Sequence, residues 1–102
     1  MANQFGERLK QLREQNNLLQ RQVASLLEID TPMLSKIERG ERKAKKEQVI
    51  QLSQIMKVSK EDLLTLWLAD QIVDVASNED VALKAMQVAE QEIKFHSKPT
   101  KK

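Results

Sequence analysis

The stretch Ile29–Gly40, "IDTPMLSKIERG", reads as a short helix with a stop signal at each end. Asp30 can cap a helix start, because its carboxylate accepts N–H groups that the first turn leaves without partners. Pro32 falls in that first turn, where its missing N–H costs little. Gly40 stands where the helix would end, because glycine adopts positive φ at little cost. The stretch predicts a helix over residues 31–39, which is too short to be stable alone.

The composition favours an all-α protein. Charged residues make up 31% of the 102 residues and hydrophobic residues 40%, but aromatics only 3%. Strands favour β-branched and aromatic residues, whereas this chain is rich in Leu, Gln, Glu, Lys and Ala. No apolar run approaches the roughly 20 residues that span a bilayer, and the first ten residues lack an apolar signal core. We expect a cytoplasmic protein without membrane association.

Hydrophobic periodicity divides the chain into six helices. They are predicted at about residues 3–15, 20–27, 31–39, 46–56, 60–76 and 79–95. The fifth carries two apolar stripes, of which one (Leu63, Leu66 and Trp67) belongs to the core. The sixth is predicted to turn inward a face of small and apolar residues: Ala82, Ala85, Met86, Ala89 and Ile93.

Helices two and three are joined by only about three residues, "EID", which is the spacing of a helix-turn-helix unit. In such a unit Leu34 and Ile37 would pack inward, and the opposite face would be presented. A helix fits the major groove of B-DNA, where a lysine such as Lys36 can donate to guanine. Thr31 can bond either way, and apolar Pro32 and Met33 suit thymine methyl groups. The alternative is a helix bundle whose polar face is simply solvated.

The charge distribution is uneven along the chain. Residues 1–46 carry ten Lys/Arg against six Asp/Glu, a balance of +4. Residues 47–96 carry four against nine, a balance of −5, and residues 97–102 add +3. A basic front half favours a polyanionic partner at that end, although chance unevenness in a solvated surface is the alternative.

The segment 18–42, "LLQRQVASLLEIDTPMLSKIERGER", resembles the XRE family of bacterial and phage helix-turn-helix regulators, which includes the lambdoid phage repressors. The matching positions are Leu18, Gln20, Val23, Ala24, Leu27, Ile29, Leu34, Ser35, Ile37, Glu38 and Gly40. The resemblance, with its flanking helices, covers about residues 5–68. It implies a five-helix repressor-like bundle, to which this chain adds the C-terminal sixth helix.

The resemblance also implies roles for individual residues. Thr31, Pro32 and Lys36 fall where the family reads bases, and Met33 joins them as a residue of the presented helix face. Gln20 falls where the family contacts a phosphate, Ser35 where it packs or contacts one, and Arg21 is predicted to contact a phosphate as well. The cations that follow, Arg39, Arg42, Lys43, Lys45 and Lys46, lie where the sugar–phosphate backbone would pass, and a solvated basic loop is the alternative. Arg13 and Glu38 fall where many members place an ion pair that ties helix one to helix three.

Three positions depart from the family pattern. Leu19 replaces the usual threonine cap of helix two, for which Asn17 is a possible substitute. Glu28 replaces the usual turn glycine, so that strain is expected if this position needs positive φ. Pro32 replaces a long polar side chain that reads bases, so the sequence does not indicate an operator.

Pairing of two copies is predicted to involve the second stripe of helix five. Repressors gain affinity by binding two half-sites as dimers. The stripe that faces away from the core comprises Leu64, Leu68, Ile72 and Val75. The alternatives are that helix six covers this stripe within one chain, or that it swaps onto the partner chain.

The sequence therefore predicts a sequence-specific, double-stranded-DNA-binding transcriptional regulator. It would bind a two-fold symmetric operator as a homodimer and regulate its own gene. The predicted organisation is a DNA-binding domain over residues 1–76, a helical extension over 77–96 that serves packing or dimerisation, and a disordered basic tail over 97–102.

Nothing in the sequence indicates an enzyme, a cofactor or a metal site. His96 is the only histidine, cysteine is absent, and no glycine-rich loop could cradle a nucleotide. The competing hypothesis is an antitoxin or another interaction module whose C-terminal helices bind a protein.

Overall fold

The computed structural model describes residues 3–96, in which all regular structure is helical. The six helices are α1 Gln4–Gln15, α2 Gln20–Leu27, α3 Thr31–Arg39, α4 Lys46–Met56, α5 Lys60–Ala76 and α6 Ala82–His96. The prediction of an all-α, five-helix bundle with a sixth C-terminal helix is confirmed. The predicted tail over 97–102 lies outside the described residues. Within residues 3–96, no helix combines the length and apolarity needed to cross a membrane.

The core lies among α1 to α5 and is almost purely aliphatic. Leu34 and Ile37 of α3 are buried in it, as their spacing predicted. Leu9, Leu52 and Leu63 are among the most deeply buried side chains, and they come from α1, α4 and α5. The full buried set is Phe5, Leu9, Leu12, Val23, Ala24, Leu27, Leu34, Ile37, Ala44, Val49, Leu52, Met56 and Leu63. Burial of these side chains stabilises helices that would be marginal alone.

Helices α1 to α4 all end in the same way, at a residue with left-handed backbone conformation. The four residues are Asn17 (φ 56°), Glu28 (φ 60°), Gly40 (φ 81°) and Lys57 (φ 60°). The N–H of the next residue donates to the carbonyl five residues earlier, at 2.8–3.0 Å, as in a Schellman motif. In three cases that next residue is apolar and packs on the core: Leu18, Ile29 and Val58. Each of these three helix ends therefore also fixes the direction in which the chain re-enters the core.

The expectation that Asn17 caps α2 is wrong, because Asn17 ends α1 instead. No side chain at the N-cap position Leu19 accepts a hydrogen bond. Gln22 compensates in part, since its Oε1 accepts the backbone N–H of Leu19 at 2.7 Å. The helix start keeps half of a capping box.

The first turn of α1 is anchored by residues distant in sequence. Asp70 of α5 accepts the backbone N–H groups of Gln4 and Phe5, each at 2.9 Å, and so caps α1 from another helix. The Asn3 side chain donates to the carbonyl of Glu38 at 2.9 Å. Gly6 permits this close approach, because an added Cβ would lie 2.5 Å from the Glu38 carbonyl oxygen. Helix α1 thus touches the end of α3 backbone to backbone.

Helix α6 differs from its prediction in two respects. It begins at Ala82 and not at 79, because single turns join Ala76 to Glu79 and Glu79 to Ala82 before helical bonding starts. Its predicted inward face is wrong for the single chain: Ala82 is half-buried, and Ala85, Met86, Ala89 and Ile93 are exposed. The physical reason is that Leu63, near the start of α5, is the last buried residue between residues 3 and 96. The end of α5 has no core beside it, and α6 has only that end to contact.

The left-handed Glu28 generates a testable prediction. For an L-residue this conformation costs about 1–2 kcal/mol, and glycine avoids the cost. We expect Glu28→Gly to raise the free energy of unfolding by about 1 kcal/mol, and Tm by about 5 °C, in thermal unfolding followed by circular dichroism. Glu28→Ala keeps the Cβ and is the matched control. A glycine variant no more stable than the alanine variant would show that no strain is stored there.

Candidate nucleic-acid interface

The recognition unit consists of α2, the turn over residues 28–30, and α3. The Asp30 carboxylate accepts the N–H of Met33 at 2.8 Å and caps α3, with Pro32 in the first turn and Gly40 at the end. These are the stop signals read in the sequence. Together they define a nine-residue helix, and the turn over residues 28–30 sets the position at which it begins.

The outward face of α3 is formed by Pro32, Lys36 and Arg39, which are all exposed. They are spaced i, i+4, i+7 and therefore share one side of the helix. Thr31 and Ser35 flank this side and are half-buried. Met33 lies on the other flank, where it packs partly against the core. Of the four predicted base-reading residues, Pro32 and Lys36 are the most accessible.

A buried polar cluster joins three helices behind this face. Glu38 of α3 accepts from Arg13 Nε at 2.7 Å and Arg13 Nη2 at 3.2 Å, and from Gln20 Nε2 at 2.9 Å. The side chains of Arg13 and Glu38 are 11% and 3% exposed. Arg13 also donates to the Leu18 carbonyl at 2.9 Å, and the hydrogen bond to Glu38 raises the pKa of Arg13. The cluster connects α1, the start of α2 and α3 through charge-assisted hydrogen bonds.

Gln20, which the resemblance predicts to contact a phosphate, donates a hydrogen bond to the buried Glu38. One of its two amide N–H groups is directed at Glu38, which leaves the other for an external acceptor. The bond to Glu38 orients the amide at the first position of α2. Arg21, the neighbouring predicted phosphate contact, is exposed.

Arg39 is held by an acidic neighbour that the sequence analysis did not single out. Its Nε and Nη2 donate to the two carboxylate oxygens of Glu41 at 2.9 and 3.1 Å, and its Nη1 donates to Ser35 Oγ. The hydrogen bond from Arg39 lowers the pKa of Glu41. The lowered pKa keeps the Glu41 carboxylate charged at neutral pH, where it offsets part of the Arg39 charge. Two predicted phosphate contacts, Arg39 and Ser35, are thus joined to each other.

The basic loop after α3 has one buried anchor among exposed cations. Ala44 is buried, and its carbonyl accepts the Trp67 indole N–H at 2.8 Å. Lys43 Nζ donates to Gln71 Oε1 at 3.4 Å. The predicted phosphate contacts in and after the loop are all exposed: Arg42, Lys43, Lys45 and Lys46. Trp67 and Gln71 therefore hold the loop, a role that no local sequence signal indicates.

Potential metal ligands are not clustered in the part of the chain that the structure describes. In residues 3–96, no three His, Cys, Asp or Glu side chains lie close enough to hold a metal ion. His96 is exposed and lies 3.4 Å from Glu92 of the same helix. The features that distinguish this surface are cations and a short, capped helix.

A family model described as a helix-turn-helix domain matches residues 6–67, more than half of the chain. The chain belongs to this helix-turn-helix domain family. Membership supports DNA binding and a part in transcription regulation, and the family is typically not enzymatic. No curated protein and no solved structure was found to match the chain.

The Arg13–Glu38 pair generates a second prediction. Removing one partner of a buried ion pair leaves the other without compensation and costs about 3–5 kcal/mol. We expect Arg13→Met to lower the free energy of unfolding by about 3 kcal/mol in urea titrations. The double variant Arg13→Met/Glu38→Leu should recover most of the loss, because no charge is then stranded. A double variant as unstable as the single one would place the loss in packing and not in the carboxylate.

Proposed function

We propose that this protein is a sequence-specific, double-stranded-DNA-binding transcriptional regulator of the XRE type. It binds a two-fold symmetric operator as a homodimer and represses its own gene from the cytoplasm. The observation that supports this most is the capped helix α3, which presents Lys36 on its outward face. This helix lies within the residues that match the helix-turn-helix family model. Such a helix is sized for the major groove.

Base reading is assigned to Thr31, Pro32, Met33 and Lys36. Lys36 is exposed on the outward face and can donate to guanine O6 and N7. Pro32, also exposed, offers apolar contact to a thymine methyl group. Thr31 and Met33 are half-buried and contact the groove from the flanks.

Phosphate contacts are assigned to the residues around α3. Gln20, Arg21, Ser35 and Arg39 lie on α2 and α3. Arg42, Lys43, Lys45 and Lys46 follow in the loop and the start of α4, where the sugar–phosphate backbone would pass. Contacts of this kind position the protein and make its affinity depend on salt.

The homodimer is assigned to the end of α5. Leu68, Ile72 and Val75 are 40–82% exposed, although a soluble monomer rarely leaves such residues in contiguous patches. Leu64, the fourth residue predicted for this interface, packs partly on the core and lies at its edge. We propose residues 1–76 as the DNA-binding domain and 77–96 as a dimerisation extension.

The test is a titration of the protein against the DNA immediately upstream of its own gene. Unrelated DNA of equal length serves as competitor at several salt concentrations, and the mass of the complex is measured on the same samples. We expect tight, salt-sensitive, selective binding of a dimer to two half-sites about one helical turn apart. Weak and unselective binding would overturn the proposal and favour a module that binds a protein through α5 and α6.

Two variants separate base reading from phosphate contact. Lys36→Ala should lose about 1–3 kcal/mol of discrimination between operator and unrelated DNA. Arg42→Ala should weaken binding to all sequences about equally and reduce the slope of log K against log salt by about one. A Lys36→Ala variant that keeps full discrimination would remove lysine from the base-reading set.

Glu41 provides a prediction in the opposite direction. The Glu41→Gln variant removes the carboxylate that binds Arg39 and frees its guanidinium for a phosphate. We expect affinity for all DNA sequences to rise several-fold and the salt slope to steepen by about one. Glu79→Gln, the same charge change in the exposed turn before α6, is the matched control. Equal effects of the two variants would show that only net charge matters.

A further inference from the structure

The turn that leads into α3 carries negative charge on an otherwise basic surface. Glu28 and Asp30 lie in this turn, and both are exposed. Cations such as Arg21 and Arg42 are exposed on the elements around it. A carboxylate close to docked DNA is repelled by the phosphates. A carboxylate in this turn therefore lowers the affinity for DNA in general, unless it finds a specific partner there.

The cap of α3 does not by itself require a charged residue at position 30. Oδ1 of Asp30 accepts the backbone N–H of Met33 at 2.8 Å. Asparagine and serine cap helices about as well as aspartate, so this N–H could be satisfied without a charge. The attraction between an exposed carboxylate and the helix dipole is small and is screened by salt. What aspartate adds is a second oxygen that accepts hydrogen bonds and cannot donate them.

This second oxygen, Oδ2, has a fixed direction and an open side. The bond from Met33 to Oδ1 holds the short Asp30 side chain against the first turn of α3. No donor within residues 3–96 forms a hydrogen bond to Oδ2, which is left to accept from outside. The carboxylate of Glu28 stands on a longer side chain, and no hydrogen bond from the same residues holds it. Of the two carboxylates, only that of Asp30 is positioned for a selective contact.

Asp30 lies at the tip of the helix that is proposed to enter the major groove. A recognition helix enters the groove with its N-terminal residues first, and these residues reach the base edges. Asp30 is the N-cap of α3, in extended conformation (φ −85°, ψ 163°). It directly precedes Thr31 and Pro32, to which base reading is assigned above. Its free oxygen is therefore placed near the bases and not only beside the sugar–phosphate backbone.

The four bases differ in how well they match an oxygen that can only accept. Guanine presents the acceptors N7 and O6, and thymine presents O4 and a methyl group. Adenine places the acceptor N7 beside its N6 amino donor, whereas cytosine presents the N4 amino donor without an acceptor of its own. Cytosine is thus the best partner for Asp30. Lys36 has only donors and prefers guanine, so the two side chains select bases of opposite character.

We propose that Asp30 is a specificity-determining residue whose Oδ2 accepts a hydrogen bond from the N4 amino group of a cytosine in the major groove. This inference rests on the proposed function, and it names one base of the half-site. Repulsion by the phosphates weakens binding to every DNA sequence, whereas the hydrogen bond is gained only at cytosine. The carboxylate therefore raises selectivity more than overall affinity.

The experiment selects binding sites of the full chain from a pool of random double-stranded DNA. The affinity is then measured for each of the four bases at every position of the selected half-site. We expect one position at which the unaltered protein prefers cytosine about fivefold or more over each other base. Asp30→Asn keeps the cap and adds an amide donor, so the preferred base at this position should change to adenine, whose N6 and N7 match an amide.

Two further variants separate a base contact from other effects. Asp30→Ser also keeps the cap but lacks the carboxylate, and it should bring all four bases at this position within about twofold. Glu28→Gln is the matched control, because it removes the same charge two residues earlier in the same turn. We expect it to raise the affinity for all sequences and to leave the base preference unchanged. Circular dichroism verifies that each variant is folded.

The contrary results separate this inference from the proposed function. If the unaltered protein selects a motif and both Asp30 variants select the same one, Asp30 reads no base, while the DNA-binding regulator stands. A preference of the unaltered protein for another base at the position that the Asp30 variants change would also overturn the cytosine contact. So would a Glu28→Gln variant that changes the base preference as much as Asp30→Asn. If the unaltered protein selects no motif, both the contact and the proposed function are overturned.

Discussion

Glu38 is a carboxylate that is buried among three helices and needs hydrogen-bond donors there. Its side chain is 3% exposed, and an unpaired charge at such a position is costly. Arg13 and Gln20 supply three hydrogen bonds to it, and they come from the end of α1 and the start of α2. These bonds fix the orientation of α3 relative to both helices, together with the burial of Leu34 and Ile37 in the core. A recognition helix of nine residues has little stability of its own, so the hydrogen bonds to Glu38 also help to hold it in a fixed position.

The same end of α3 is fixed by contacts of the main chain. The Glu38 carbonyl accepts from Asn3, and Gly6 lets α1 approach this carbonyl closely. Asp70 then ties the start of α1 to α5, and Trp67 of α5 holds the basic loop through Ala44. Helix α5 thus holds the basic loop directly and supports the recognition unit through α1. The cations in and after that loop remain exposed, which suits contacts to a phosphate backbone.

The surface around α3 and the surface formed by the end of α5 and by α6 expose different kinds of side chain. The surface around α3 presents cations that are well hydrated and are attracted to a polyanion. The α5–α6 end presents apolar surface, which gains only from being covered. The two surfaces come from different parts of the sequence and have opposite net charge. The acidic charge around the apolar surface disfavours its contact with DNA. This division is the physical basis for proposing a DNA partner at one end and a second copy at the other.

The sequence by itself determined the helices, because their signals are local. Periodicity, the Asp30 cap, Pro32 and Gly40 lie within a few residues of the elements they define, and five of the six helix ranges were predicted within one residue. The pairing of Arg13 with Glu38 came from the resemblance, since the two residues are 25 positions apart. Only the tertiary structure decided the cap from Asp70 and the anchor from Trp67 to Ala44. These contacts depend on how helices lie against one another, and a one-dimensional pattern carries no such distance. The same reason explains the wrong inward face of α6: a stripe of alanines shows that a face can be packed, but the fold determines what lies opposite it.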